Sequence, residues 1–310
     1  MTLTLLNSLT TERMTNMYNK AKEIKDLCIK TGKEIWQIAL DKDFENTGIE
    51  EADLLELMHE TLEVMRDSAY KGLDQAVYSM SKITGGSAVK VNKFSEDSVS
   101  GKTITRAMAM ALSVSEVNSS MGRIVAAPTA GASGILPAAL FTMQEKYGYD
   151  DDKLVKGLIV AGVIGEIIAQ NASISGAEGG CQAECGSAAA MGAAAICYLR
   201  DYDIDTIFAS AAFAIKNILG LVCDPVLGLV EYPCNLRNAS GVVNAIISAD
   251  LAMSGLPCLI PLDETIDSMR QVGNSLPEAL RETALGGLAA TPTAEKLGEE
   301  MEEKNAHSEN

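Results

Sequence analysis

Four cysteines lie in or beside segments rich in glycine and proline. Cys181 and Cys185 occur in Gly-Gly-Cys-Gln-Ala-Glu-Cys-Gly, Cys223 in Val-Cys-Asp-Pro, and Cys234 in Tyr-Pro-Cys-Asn. Such loops let thiolates from several segments converge, and their N–H groups can hydrogen-bond to the sulfurs of a cluster. The pattern therefore indicates a metal or iron–sulfur centre, with small buried core thiols as the alternative.

The spacing of these cysteines leaves the metal open. The C-x₂-C-x₂-C run of a low-potential ferredoxin is absent. The pair Cys181 and Cys185 fits a zinc knuckle only loosely, and zinc stays a weaker alternative. The other three cysteines lie on or beside apolar helical segments, where packing is their expected role: Cys28, Cys197 and Cys258. Seven cysteines in a chain without secretory features do not suggest a disulfide framework.

Acid–base candidates are few. Glu178 and Glu184 flank Cys181, and either could be a base or hydrogen-bond to a ligand. Lys102 follows Ser100-Gly101 as in a phosphate loop, but Glu96 stands where that motif needs glycine, so nucleotide binding is rejected. Lys102 could instead face a substrate carboxylate or act as a base, or be a solvated lysine. With only two histidines in the chain, a Ser-His or Cys-His nucleophile has little support.

The elements that must position these groups are mainly helices. Apolar residues recur at helical spacing, and glycine-rich loops separate the segments, so the fold class is mainly α. The predicted helices are 11–31, 50–72, 102–117, 135–146, 152–170, 186–199, 205–221, 239–254, 263–272 and 277–285. We expect a helical region over 1–84, a catalytic domain over 85–295, and a charged, frayed tail over 296–310, while 85–101 is irregular.

The net charge and the apolar segments of the chain limit the classes of partner and the location that we expect. A net charge of −17 disfavours nucleic acid and anionic membranes. The apolar run 154–169 contains Lys156 and Glu166 and predicts a buried helix rather than a membrane span. No signal peptide is recognised, so we expect a cytoplasmic protein.

Four segments resemble the catalytic chain of iron–sulfur-dependent L-serine dehydratases over about residues 85–295. They occur in the same order as in that family and read SGKTITRAMAMALSVSEVNSSMGRIVAAPTAGASGILPA, SGAEGGCQAECGSAAAMGAAA, NILGLVCDPVLGLVEYPCNLRNASGVVNAI and LPEALRETALGGLAATPT. The resemblance implies a 4Fe–4S cluster on three cysteines, here Cys181, Cys223 and Cys234, with the fourth iron open to substrate. Cys185 falls where the family requires no ligand.

The resemblance also implies the reaction and the substrate site. L-Serine would lose water, and the product would rearrange and hydrolyse to pyruvate and ammonium. The loop 127–134 leads into a helix, and exposed N–H groups at a helix start suit a carboxylate. The expected substrate-binding residues are Asn118, Ser119, Ser120, Thr129, Ala130 and Gly131.

The same resemblance predicts a partner and leaves three alternatives. The family occurs as one fused chain or as two subunits, and this chain resembles the separate alpha chain, so a beta chain is expected. The alternatives are a related lyase acting on another β-substituted amino acid such as cysteine, a non-catalytic iron–sulfur or zinc subunit, and a pyridoxal-phosphate dehydratase. No lysine lies in a convincing context for pyridoxal phosphate.

Overall fold

The computed structural model describes residues 18–308 and confirms a mainly α fold. In this range thirteen α-helices occur, and β-structure is limited to two isolated bridges. In chain order the helices are α1 Ala21–Thr31, α2 Ile35–Thr47, α3 Glu51–Asp74, α4 Ser87–Phe94, α5 Lys102–Ser119, α6 Ile135–Tyr147, α7 Asp151–Asn171, α8 Gly176–Gly179, α9 Ser187–Leu199, α10 Ile204–Lys216, α11 Cys234–Met253, α12 Leu262–Ser275 and α13 Pro292–Ser308. A π-helical turn, Gln182–Gly186, leads into α9.

The centre of the fold is α9, in which every side chain is buried. It packs against α6, α7, α10 and α11. A Cβ atom at Gly192 would lie only 3.2 Å from the Cβ of Ala245 on α11 and 3.3 Å from the Cβ of Ala139 on α6. Alanine and glycine therefore set the spacing here, because larger side chains would force the helices apart.

The apolar helix α7 is long enough to cross a membrane by length and composition, but 67% of its most apolar window is buried inside the protein. Its start is fixed by Asp150, whose carboxylate accepts a hydrogen bond from the Lys153 N–H at 2.8 Å. The helix is thus a buried core element, as the sequence predicts.

The N-terminal helices share one hydrophobic core with the rest of the described chain. At the α3–α5 contact, Ser113 accepts a hydrogen bond from the Gly72 N–H at 2.8 Å and donates one to the Ser68 carbonyl at 2.7 Å. On α2, the buried Lys42 pairs with Glu166 of α7 at 2.5 Å. These polar links fix how the first helices lie on the core.

Two expectations about the elements are wrong. The segment 85–101 contains α4, whose first N–H groups, of Ser87 and Ala88, donate to the distant carboxylate of Glu116. Within the predicted helix 277–285 only the short 3₁₀ turn Glu278–Leu280 is helical. The helix α13 extends from Pro292 to Ser308 over most of the charged tail, and the fraying of this tail stays a prediction.

Two further differences concern α2 and the first predicted helix. The sequence reading did not predict α2, which buries Ile35, Ile38 and Leu40. The predicted helix 11–31 is observed as Ala21–Thr31, and residues 11–17 lie outside the described part of the chain.

Candidate active site

Three cysteines from separate segments come together at one end of α9. Cys181 immediately precedes the π-helical turn, Cys223 lies in the loop after α10, and Cys234 is the first residue of α11. Cys181 and Cys223 are only 2% and 3% exposed, and Cys234 is partly buried. Burial is the main cause that raises the pKa of Cys223, and the charge of a Cys181 thiolate raises it further. The same two causes raise the pKa of Cys234 to about 12. The three thiols therefore interact electrostatically within one buried centre.

Cys223 is held by its backbone. Its N–H donates to the Leu280 carbonyl at 2.9 Å, and its carbonyl accepts from the Glu282 N–H at 2.7 Å. This short bridge replaces the helix predicted over 277–285. Because of it, Glu282 lies beside the thiols, and its charge is among those that raise the pKa of Cys223.

Glu184 lies between the thiols and the loop 127–134. Its carboxylate accepts a hydrogen bond from the Thr129 hydroxyl at 2.9 Å. A Cβ atom at Gly131 would lie 3.2 Å from both carboxylate oxygens, and one at Gly176 would lie 3.1 Å from Oε2 and 2.8 Å from Cys223 Sγ. Burial raises the pKa of Glu184, and the charge of Glu282 raises it further. The absence of side chains at the two glycines thus leaves room for this carboxyl group.

Arg237 provides positive charge at the centre. Its Nη2 donates to Asp224 Oδ1 at 2.6 Å, and the two side chains are only 12% and 4% exposed. The other oxygen of Asp224 accepts from the Leu288 N–H at 2.7 Å. Arg237 Nη1 is buried and has no hydrogen-bond partner among the described residues. The hydrogen bond with Cys185 and the Arg237 cation lower the pKa of Cys181, so the centre favours a thiolate there.

Asn238 connects the loop 127–134 to the thiols. Its Oδ1 accepts from the Gly134 N–H at 2.9 Å, and its Nδ2 donates to the carbonyls of Gly131 at 2.6 Å and Cys234 at 2.9 Å. Because Asn238 is only 1% exposed, these bonds are protected from water. The two halves of the site are therefore held in register by one amide.

Sequence reasoning assigned no role to Arg237, Asn238 and Glu282. A signal for the first two was available, since they follow Cys234 by three and four positions on one helix and so share its face. No local pattern marks Glu282, because only the pairing with Cys223 brings it to the site.

The predicted substrate-binding residues divide into two groups. Thr129 and Gly131 adjoin Glu184, and Asn118 Nδ2 donates to the Ala130 carbonyl at 3.3 Å, which brings Asn118 to the loop. Ser119 and Ser120 donate instead to carbonyls of their own helix, those of Glu116 at 3.2 Å and Val117 at 2.8 Å.

The two catalytic residues expected from the sequence lie elsewhere. Lys102 is exposed and pairs with Glu96. Glu178 is exposed and faces a cavity of about 410 Å³ whose lining includes Arg270 and Arg281 but none of the cysteines. Neither position supports a role beside the thiols. His59 is also partly exposed, and its Nε2 lies 3.0 Å from Asp152.

The three cysteines with packing as their expected role have different surroundings. Cys197 is buried within α9, and burial raises its pKa to about 12. Cys28 is partly buried on α1. Cys258 lies 3.3 Å from Lys216 Nζ, between α11 and α12. Over the described range, no three His, Cys, Asp or Glu side chains are arranged to hold a single metal ion.

These features define a class of protein: a helical protein with a centre of three thiols from separate segments, flanked by carboxylates and by the loop 127–134. The family model for the serine dehydratase alpha chain matches residues 30–289. The chain belongs to this family.

Relatives with curated names agree with this assignment. The chain is 46% identical to the L-serine dehydratase alpha chain of Peptoniphilus asaccharolyticus, over 91% of this chain and 97% of the relative. It is 43% identical to the probable L-serine dehydratase alpha chain of Bacillus subtilis, over 93% and 95%. It is 32% identical to an L-serine dehydratase of Helicobacter pylori, over 88% of this chain and 62% of that longer protein.

Proposed function

We propose that this chain is the catalytic chain of an L-serine dehydratase, a cytoplasmic enzyme that eliminates water from L-serine. The aminoacrylate formed would tautomerise to the imine and hydrolyse to pyruvate and ammonium. The observation that carries the proposal is the position of Glu184. This residue follows Cys181 by three positions, adjoins Gly176 together with the Cys223 thiol and accepts a hydrogen bond from Thr129, in a chain whose relatives are named L-serine dehydratase alpha chains. The name alpha chain implies a beta chain as the partner.

The donor set fits a 4Fe–4S cluster on the three cysteines. Thiolates are the ligands of such clusters, and buried positive charge and N–H donors stabilise their negative charge. Arg237 meets this need, because its buried Nη1 has no acceptor among the described residues while its cation interacts with Cys181 and Cys234. Three ligands for four irons would leave one iron without a protein ligand. With the cluster bound, that iron would act as a Lewis acid on the serine hydroxyl.

The loop 127–134 is the proposed site for the substrate carboxylate. The N–H groups that follow in the chain are used. Those of Ser133 and Ile135 donate to carbonyls of the loop, and that of Gly134 donates to Asn238. In the described structure the N–H groups of Thr129, Ala130 and Gly131 donate to no protein acceptor. Three adjacent free donors before a helix start suit a carboxylate. Asn118 and Asn238 would keep this loop in place through the carbonyls of Ala130 and Gly131.

Glu184 is the proposed base that removes the α-proton of serine. The carboxyl group of Glu184 contacts the loop 127–134 through the Thr129 hydroxyl. It also lies beside the thiol centre, where Gly176 has no side chain. A serine molecule bound to both the loop 127–134 and the thiol centre would have its α-carbon between these two sites. Burial raises the pKa of Glu184 and so makes it a stronger base than a solvated glutamate. This assignment replaces Lys102 and Glu178 as the candidate for the role.

The test is anaerobic co-expression with the beta chain, followed by measurement of iron, sulfide and pyruvate formed from L-serine. Alanine at Cys181, Cys223 or Cys234 should abolish cluster loading, whereas Cys28→Ala, a matched change away from the centre, should not. Glu184→Gln should keep the cluster and lower kcat about 10²–10⁴-fold. A colourless complex with full activity would refute the cluster, and full activity of Glu184→Gln would refute the base. Sulfide release from L-cysteine exceeding pyruvate formation from serine would favour the related lyase.

A further inference from the structure

Cys185 has no part in the proposed reaction, yet it is a close neighbour of a proposed ligand. Its Sγ lies 3.3 Å from Cys181 Sγ, and both residues are only 2% exposed. They stand four positions apart across the π-helical turn Gln182–Gly186. No other pair of the seven cysteines has a thiol–thiol hydrogen bond among the described residues.

We propose that Cys181 and Cys185 are a disulfide-forming site that becomes available when Cys181 carries no iron. The co-reactant is dioxygen. Each thiol loses one hydrogen, the two sulfurs join, and dioxygen takes up both electrons and both protons to leave as hydrogen peroxide.

The local geometry favours this pair over the alternatives. The sulfurs must close from 3.3 Å to about 2.05 Å, a change that side-chain rotation within one helical turn can supply. Cys223 and Cys234 lie on other segments, and Cys223 is held by backbone hydrogen bonds to Leu280 and Glu282. Forming a bridge to either of them would require segments to move, whereas the 181–185 bridge stays within its own turn.

The consequence for the enzyme rests on the proposed function. A disulfide would remove one of the three cluster ligands, so oxidised protein could not reload iron until a reductant reopened the bond.

The experiment uses the complete chain in complex with its beta chain. Iron is removed with a chelator under anaerobic conditions, free thiol reductant is removed, and the protein is then exposed to air. Alkylation is followed by digestion with a glutamate-specific protease and trypsin. Cleavage after Glu184 separates Cys181 from Cys185, cleavage after Arg200 and Lys216 separates Cys185 from Cys223, and fragmentation of the 185–200 peptide distinguishes Cys185 from Cys197. We expect this chain to lose two of its seven free thiols and to yield two peptides joined through Cys181 and Cys185.

A second measurement follows cluster uptake from ferrous iron and sulfide without thiol reductant. After air exposure, Cys185→Ala should regain cluster absorbance to at least about fivefold the level of the parent protein. A thiol reductant should restore the parent to the same level. Cys28→Ala is the control and should behave like the parent. Cys185→Ser is the second variant if alanine disturbs the buried turn.

The outcomes separate the two proposals. Absence of the 181–185 linkage, or linkage of Cys181 to Cys223 or Cys234, overturns the disulfide site. Equal recovery of the parent and Cys185→Ala overturns its effect on cluster loading. Failure of both to take up iron even with reductant would instead refute the cluster, while the peptide map would still decide the disulfide.

Discussion

Gly176 offers a direct test of how tightly the site is built. A methyl group at this position would lie 2.8 Å from Cys223 Sγ, 3.1 Å from Glu184 Oε2 and 3.3 Å from Glu282 Oε2. In the chain without a cluster, we expect the Cys223 thiol to rotate aside at little cost. When Cys223 ligates iron its position is fixed, so the added methyl must overpack the site.

The expected effect of Gly176→Ala is therefore on cluster retention and not on folding. Overpacking of a fixed site costs about 1–3 kcal/mol, which corresponds to roughly 5–150-fold weaker retention of the cluster. The assay is anaerobic challenge with excess chelator, followed by loss of cluster absorbance, together with thermal unfolding of the chain freed of iron. The unfolding midpoint without iron should stay within about 2 °C of that of the parent.

Gly162→Ala is the matched control. Gly162 lies in α7, and no atom would come within 4 Å of the added Cβ. The same substitution should there stabilise the helix by about 0.5–1 kcal/mol and leave cluster retention unchanged. The steric reasoning is refuted if Gly176→Ala retains the cluster to within twofold of the parent, or if both variants lose it equally.

Three further changes test the polar framework. Asp224→Ala leaves the buried Arg237 cation without its acceptor and should lower the free energy of unfolding by about 3–5 kcal/mol in urea titrations; Asp224→Asn, which keeps an acceptor, should lose less. Asn238→Ala removes the hydrogen bonds that hold the loop 127–134 and should lower the free energy of unfolding by about 1–3 kcal/mol. It should also raise KM for serine more than it lowers kcat. Burial raises the pKa of Glu116, so the folded state holds its proton more tightly than the unfolded state. The parent should then lose stability as pH rises from the ordinary glutamate pKa through the raised value, and Glu116→Gln should lose less, as measured by thermal unfolding.

Each of these expectations has a contrary result. A loss below 1 kcal/mol in Asp224→Ala would mean that water reaches Arg237. An unchanged KM in Asn238→Ala would remove the loop from carboxylate binding. An unfolding midpoint of Glu116→Gln that falls in parallel with that of the parent over this pH range would show that Glu116 does not cause the decline.

Much of the fold could be predicted locally. Helices such as α5, α6, α7 and α9 were predicted to within about two residues, because their apolar periodicity and their glycine or aspartate caps are encoded nearby in sequence. Two of the failures share a cause. The start of α4 is stabilised by Glu116, and 280–282 pairs with Cys223, so distant partners decided both segments.

For the site, the residue types and their order along the chain were enough to predict which cysteines would matter. Glycine- and proline-rich surroundings marked the loop cysteines, and the family motifs selected Cys181, Cys223 and Cys234. The tertiary structure decided which charged groups accompany them. Lys102, Glu178 and Glu184 all lie within the segments that resemble the family. Of these three, only Glu184 lies between the thiols and the loop 127–134.

The same division holds for Cys185. Its position in the chain shows only that a fourth cysteine lies near Cys181, whereas the contact of 3.3 Å depends on the π-helical turn that directs both sulfurs inward. Sequence determines which chemical groups are present and the local elements that carry them. Which of those groups face one another depends on contacts between segments far apart in the chain, and these form only when the helices pack.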